Sequence, residues 1–245
     1  GTGDILMLAS ESVVQNGNIS SAGGTIDVEA TTGSVTMLDG VLSESLGGSI
    51  RYLSGVDISL SGLNAGAGDI SVTAETGSIL DGGDTDDDLT GSGVRLEAGT
   101  GVGDLTNALE TGVSKVAALA GDGGINLIDV DDVEVGTVGP IEVSRILIDG
   151  TTTTVTDNAL SGETASGAGS VLQRVEDGTL TITDSVITSG TGDILILASE
   201  SVVQNANLTV SVGTIGVEAT NGSITMADGV SSDTVDNTIR YYSGT

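Results

Sequence analysis

Residues 1–16 read GTGDILMLASESVVQN, and residues 190–205 read GTGDILILASESVVQN. Shifting the sequence by 189 positions pairs residues 1–56 with 190–245 without a gap, and 36 of the 56 pairs are identical. The chain thus carries one long unit, residues 1–189, and the start of a second, residues 190–245, expected to continue the same body. Within the opening stretch, Gly3-Asp4-Ile5-Leu6-Met7-Leu8-Ala9 is the phrase that decides the fold. It returns as Gly24-Thr25-Ile26-Asp27-Val28-Glu29-Ala30 and Gly68-Asp69-Ile70-Ser71-Val72-Thr73-Ala74, with a shorter form at Gly48-Ser49-Ile50-Arg51-Tyr52. The leading glycines stand 21, 24 and 20 residues apart. Apolar residues sit two apart while Asp27, Glu29 and Thr73 take the other phase, which is the period of a half-buried strand.

A second strand follows in each cycle: Val14 comes nine residues after Ile5, Val35 nine after Ile26, Ile58 eight after Ile50 and Ile79 nine after Ile70. Ile19, Val41 and Leu63 supply a third apolar touch. Two or three short strands per cycle describe one coil of a parallel β-helix of about 20 to 24 residues per coil, each strand lying on its counterpart in the next coil. A hairpin-built sandwich does not place equivalent inward positions at every twenty-odd residues. The expected fold is all-β, a right-handed parallel β-helix, the hand following from the preference of parallel crossovers. With strands about 4.8 Å apart, roughly nine coils would carry one unit about 40 Å along the axis.

Composition narrows the function. The chain has no Phe or Trp and three Tyr, so its core is built from small aliphatics; 39 glycines with one proline fit a backbone that turns often while keeping its amide donors. Thirty-five acidic residues against six basic ones give a formal charge of −29, which repels nucleic acid and anionic lipid, invites divalent cations and suits a saline exterior. There is no Cys and no His, and no apolar run long enough for a spanning helix, so no membrane insertion is expected.

The middle is less regular. Residues 80–93 read as a loop thrown out from a coil, and Asp104–Ala120 as a stretch able to carry a turn or two of helix. Gly124-Ile125-Asn126-Leu127, Pro140-Ile141-Glu142-Val143 and Gly178-Thr179-Leu180-Thr181-Ile182 then resume the strand phrase.

The phrases GDILMLASESVVQN, GGTIDVEATTGSVTM and GDISVTAETGSI, followed by NALETGVSKVAALAGDGGINLIDVDDVEVGTV, resemble the repeat region of filamentous-haemagglutinin-type giant bacterial surface proteins. The resemblance covers nearly the whole chain and is weakest over 150–178. It implies right-handed β-helical shafts, secreted across the outer membrane and displayed on the bacterial cell as adhesins or structural fibres, with a cell-surface glycan or protein receptor as partner.

Candidate chemistry is sparse. Parallel β-helices also host polysaccharide lyases and hydrolases, but the six basic residues read as scattered and sugar-stacking aromatics are nearly absent, so no catalysis and no required cofactor are expected. The densest oxygen cluster, Asp84, Asp86, Asp87 and Asp88, lies in GGDTDDDLT, which differs from the calcium-binding nonapeptide GGxGxDxUx only at Thr85. Two readings stand: a solvated acidic loop, or a weak Ca²⁺ site completed by a neighbouring coil or chain. Asp129–Glu134 alternates as a strand with an acidic outer face. Asn18, Asn207 and Asn221 fit the glycosylation acceptor pattern that Ser- and Thr-rich sequence produces by chance. Arg51 and Arg240, equivalent in the two copies, are expected to pair with an acid on the adjoining coil. No capping segment is read at residue 3 or at residue 245, so flanking repeats or identical chains, stacked head to tail, are the expected partners.

Overall fold

The computed structural model describes residues 3–83 and 87–244. Among them there is no helix; short strands stack in parallel into a β-solenoid of about ten turns. The first coil is Ile5–Ala9, Val13–Gln15 and Ile19–Ser20, and the second Ile26–Ala30, Val35–Met37 and Leu42–Glu44. The long strands stay in register from coil to coil: Ile5 pairs with Ile26, Ile26 with Ile50, Ile50 with Ile70, Ile70 with Val94, and Val94 with Val116. Each of these residues points inward, and alternate residues point out.

The recurring glycine has a steric cause. A Cβ added at Gly24 would lie 2.5 Å from the carbonyl oxygen of Gly3, one at Gly48 2.3 Å from that of Gly24, and one at Gly68 2.5 Å from that of Gly48. At this corner the backbones of successive coils stack in contact, and a Cβ on any of these three glycines would strike the carbonyl beneath. Gly17, away from this corner and with nothing within 4 Å of its added Cβ, is matched by Ala206 in the second copy, while at the corner itself Asn237 takes the place of Gly48 in the last described coil. Side chains of Asp, Ser and Thr stitch the turns: Asp4 Oδ1 accepts from the Thr25 amide at 2.9 Å, and its counterpart Asp193 from the Thr214 amide at 2.7 Å.

The interior is filled by Val, Ile, Leu and Ala, with polar insertions that bond across it. Tyr52 is fully buried; its hydroxyl donates to Gln15 Oε1 at 2.7 Å and lies 2.7 Å from Ser43 Oγ. Gln204, Ser232 and Tyr241 repeat the triad in the second copy. Burial raises the Tyr52 hydroxyl above its ordinary pKa, against the lowering by Ser43 and Gln15.

Three expectations for the middle are corrected. The stretch 104–120 holds no helix: Leu109–Ala120 is one twelve-residue strand, running without a corner over two positions of the coil. The loop is shorter than 80–93, because Ile79–Asp81 and Leu89–Ala98 are strands. Pro140–Val143 does not resume the coil. Residues 137–161 leave the solenoid between Val133–Val135 and Glu163–Ala165. They pair with themselves in antiparallel fashion, Ile141–Ile146 against Thr152–Asp157 and Thr137–Val138 against Leu160–Ser161.

The long strands of the two copies also do not share one column. Ile125–Asp129 stacks on both Gly101–Val102 and Leu109–Thr111, bridging two short-strand faces, and Val171–Val175, Ile194–Ala198 and Ile215–Ala219 follow on it. Val133–Val135 and Glu163–Ala165 instead lie on the two halves of the former long-strand face. The second unit therefore begins rotated about the rod axis relative to the first.

Gly68→Ala is expected to lower the denaturant midpoint by an amount equivalent to about 1–3 kcal/mol, as overpacking against unyielding backbone does. Gly17→Ala should leave it unchanged; equal midpoints for both variants would refute the corner account.

Candidate functional site

Two clusters of charged side chains stand out, one at the acidic loop and one under the hairpin. At the loop, Asp84 and Asp86 lie outside the described residues. Asp87 is exposed and its carboxylate lies beside Gly112, where an added Cβ would stand 3.2 Å from Asp87 Oδ2. Asp88 is buried. Its amide donates to the Glu110 carbonyl and its Oδ2 accepts from the Glu110 amide, both at 3.1 Å, fixing it one coil from Glu110.

One carboxylate oxygen each of Asp81, Asp88 and Glu110 lies within 4.8 Å of the others. Oxygens on opposite sides of a Ca²⁺ stand about 5 Å apart, so three carboxylates at this spacing can face one cation. The sequence reading found Asp88 but missed Asp81 and Glu110. The available signal was the spacing: Glu110 follows Asp88 by 22 residues, one coil.

The second cluster corrects the reading of scattered cations. The residues that follow the inward Ile5, Ile26, Ile50, Ile70, Val94 and Val116 form an outward column, Leu6, Asp27, Arg51, Ser71, Arg95 and Ala117, in register. The hairpin lies along it. Val138 and Ile141 cover Ala117 at its base. Arg95 donates from Nε to the Asn158 carbonyl at 2.8 Å, and Arg51 from Nε to the Asp157 carboxylate at 3.1 and 3.2 Å. Arg145 bonds Asp27 Oδ2 at 2.8 Å and Glu29 Oε2 at 2.6 Å, while Arg51 Nη1 reaches Asp27 Oδ1 at 2.9 Å. The expected pairing of Arg51 with an acid on the adjoining coil is thus present, but buried rather than superficial: Arg51 is 5% and Asp27 0% exposed. Its counterpart Arg240 approaches Glu218 at 3.7 Å in the open.

Burial pushes the Glu29 carboxyl up, but hydrogen bonds and charge from Arg145 and then Arg51 outweigh it and hold it below its ordinary value. Arg51 is likewise pushed down by burial and more than restored by Asp157 and Asp27. Removing one member of such a buried set leaves an uncompensated charge, at a cost of roughly 3–5 kcal/mol.

A recess of about 550 Å³ bordered by Ser114, Asp132, Val133, Glu134, Thr179 and Thr181 contains two carboxylates, and both are engaged. Asp132 Oδ1 accepts from the Thr179 amide at 2.6 Å, and Glu134 Oε1 holds Lys115 Nζ at 2.9 Å and the Thr183 hydroxyl at 2.6 Å.

One acid is placed unlike all these. Glu163 is fully buried and neither carboxylate oxygen has a partner, as is also true of both amide atoms of Gln173. Their columns run through Val186 and Leu208 to Ser232, and through Ile196 and Val217 to Tyr241. Ser232 and Tyr241 meet at 2.6 Å, so the two columns face each other across the core. Desolvation alone raises the Glu163 pKa from 4.5 to about 8.

Compared with protein-family models, with curated proteins and with solved structures, the chain matches none of them.

Because the native Glu163 pKa lies above the unfolded one, its ionisation opposes folding. The contribution of Glu163 is intact below about pH 4.5 and is lost as pH rises toward 8, by about 1.4 kcal/mol for each pH unit crossed between the two values. Glu163→Gln should remove this fall, leaving a flatter stability profile between pH 5 and 9 in urea titrations. Identical profiles for the two proteins would contradict it.

Proposed function

We propose that this chain is a segment of a non-catalytic structural fibre or adhesin stalk of the filamentous-haemagglutinin type, displayed outside the bacterial cell. The observation that carries this reading is the joint between units, which lies inside the chain. Ile194–Ala198, which opens the second unit, pairs with Val171–Val175 of the first over five consecutive residues in parallel register. The rod passes from one unit to the next as it passes from coil to coil, so length is added simply by repeating the sequence. The acidic surface supports the same reading, since a charge of −29 keeps such a column soluble and apart from its neighbours.

Its mechanism is extension. A continuous ladder of backbone hydrogen bonds stiffens the column, and whatever receptor-binding element the parent protein carries, for a glycan or a protein, is held away from the cell. Electron microscopy of the native material should show rods with an axial repeat near 4.8 Å, about 48 Å of length for ten coils. Compact particles without that repeat would refute the reading.

A second reading, a calcium-binding module, is favoured by one observation, the convergence of Asp81, Asp88 and Glu110. It predicts heat on titration with Ca²⁺ that Asp88→Asn abolishes. A wild-type chain that gives no heat removes it.

A further inference from the structure

The hairpin tip is an apolar turn with an acid beside it. The Leu147 amide donates to the Thr151 carbonyl at 2.8 Å and the Gly150 amide to the Leu147 carbonyl at 2.9 Å, which fixes the turn. Ile146 and Leu147 are exposed on it, and Ile148 completely so. The Thr151 hydroxyl and then its amide donate to Asp149 Oδ1 at 2.7 and 3.0 Å and hold that carboxyl below its ordinary pKa. The tip thus presents an oriented anion next to three aliphatics. The ion pairs that seat the hairpin on its own unit stop at Arg145, before this turn begins.

A surface of the complementary kind lies where the two units join, inside the chain. In Val171–Val175 and Ile194–Ala198 the first, third and fifth residues are buried, so Leu172, Arg174, Leu195 and Leu197 face out. Stacking sets Leu172 on Leu195 and places Arg174 between Ile128 and Leu197. The arginine therefore stands among four half-buried aliphatics. Among the described residues each of the other five basic side chains meets a carboxylate, whereas Arg174 reaches the amide oxygen of Asn126 at 3.2 Å, and its Nε is buried without a partner. On a chain with 35 acidic residues, an outward aliphatic patch around a cation that no carboxylate meets is a recognition surface for an apolar segment bearing an acid.

We propose that this patch is the docking site for the hairpin tip of a second copy of the chain. Leu147 and Ile148 of one copy pack on Leu172, Leu195 and Leu197 of the other, and Asp149 pairs with Arg174. Charge complementarity selects this occupant: two chains of −29 repel wherever acid meets acid, and tip and patch bring opposite charges together in apolar surroundings. The chain also shows a related contact within itself. The hairpin strand Ile141–Ile146 lies against Ile5–Ala9, whose counterpart in the second unit is Ile194–Ala198, with Leu195 and Leu197 at the places of Leu6 and Leu8. The contact joins rods side by side and is independent of what the rods carry. Few residues take part on each side, so one pair is weak, and rods presenting many such pairs hold together by their number.

The chain has no cysteine, so introduced ones report contacts directly. Ile148→Cys mixed with Leu195→Cys should form the interchain disulfide under mild oxidation about tenfold faster than Ile148→Cys mixed with Leu38→Cys, an exposed leucine of the second coil. Asp149→Lys added to the first chain, or Arg174→Glu added to the second, should each bring the rate down to that of the Leu38 control. Both together should restore it. Asp149 is exposed, so its replacement leaves the fold intact, and circular dichroism checks the same for Arg174→Glu. A 148–195 rate no faster than the control, or one indifferent to both charge substitutions, overturns the proposal and leaves the rod reading to be judged by particle shape. A tip labelled at residue 148 that responds to phosphatidylcholine vesicles, without the cross-link, reassigns it to a lipid surface and overturns the proposal equally.

Discussion

The structure depends on one spacing. Parallel strands in neighbouring coils hydrogen-bond at about 4.8 Å, and at the corner before the long strand the backbones of Gly24, Gly48 and Gly68 keep that separation with no side chain between them. At the corner before the long strand, the Cβ of any larger residue would fall 2.3 to 2.5 Å from the carbonyl of the coil beneath. Glycine is the residue with nothing to place there. Its recurrence every twenty-odd residues and the scarcity of proline follow from holding successive coils in contact while keeping the amide donors for the sheet.

A column built this way has a narrow interior, and polar groups enter it only on terms. Tyr52, Gln15 and Ser43 satisfy one another, and the second copy rebuilds the same triad at Tyr241, Gln204 and Ser232. Glu163 and Gln173 occupy corresponding columns without that mutual satisfaction, just after the hairpin rejoins the coil. The hairpin brings the opposite arrangement to the outside: its charges and those of the face below are nearly all paired, so the flank that would otherwise be an exposed charged column becomes buried.

Much of the fold could be read from the sequence because the solenoid is local: each coil is specified by a glycine, an alternating strand and a second apolar touch. What could not be read depends on partners far along the chain. Pro140–Val143 has the alternation of a coil strand, and only the complementary run Thr152–Asp157 turns it into a hairpin. Arg51, Arg95 and Arg145 look dispersed because the cluster that they form joins residues more than a hundred positions apart, as Arg51 and Asp157 are. Asp104–Ala120 has helical spacing at Leu105, Leu109 and Val113, yet the strand Leu89–Ala98 offers its Leu109–Ala120 part a ready edge, and tertiary pairing overrides local preference. The acidic loop gave up Asp88 to its motif, while Asp81 and Glu110 approach it only through coil stacking.

The central claim is that outward residues of the long strands stand one above another, one coil apart. Spin labels at Leu8 paired in turn with Thr73, Glu97 and Leu119 measure this by pulsed dipolar spectroscopy. The register predicts separations that grow by about 4.8 Å from each partner to the next. Distances that fail to grow, or that alternate between short and long as they do across antiparallel strands, would contradict it.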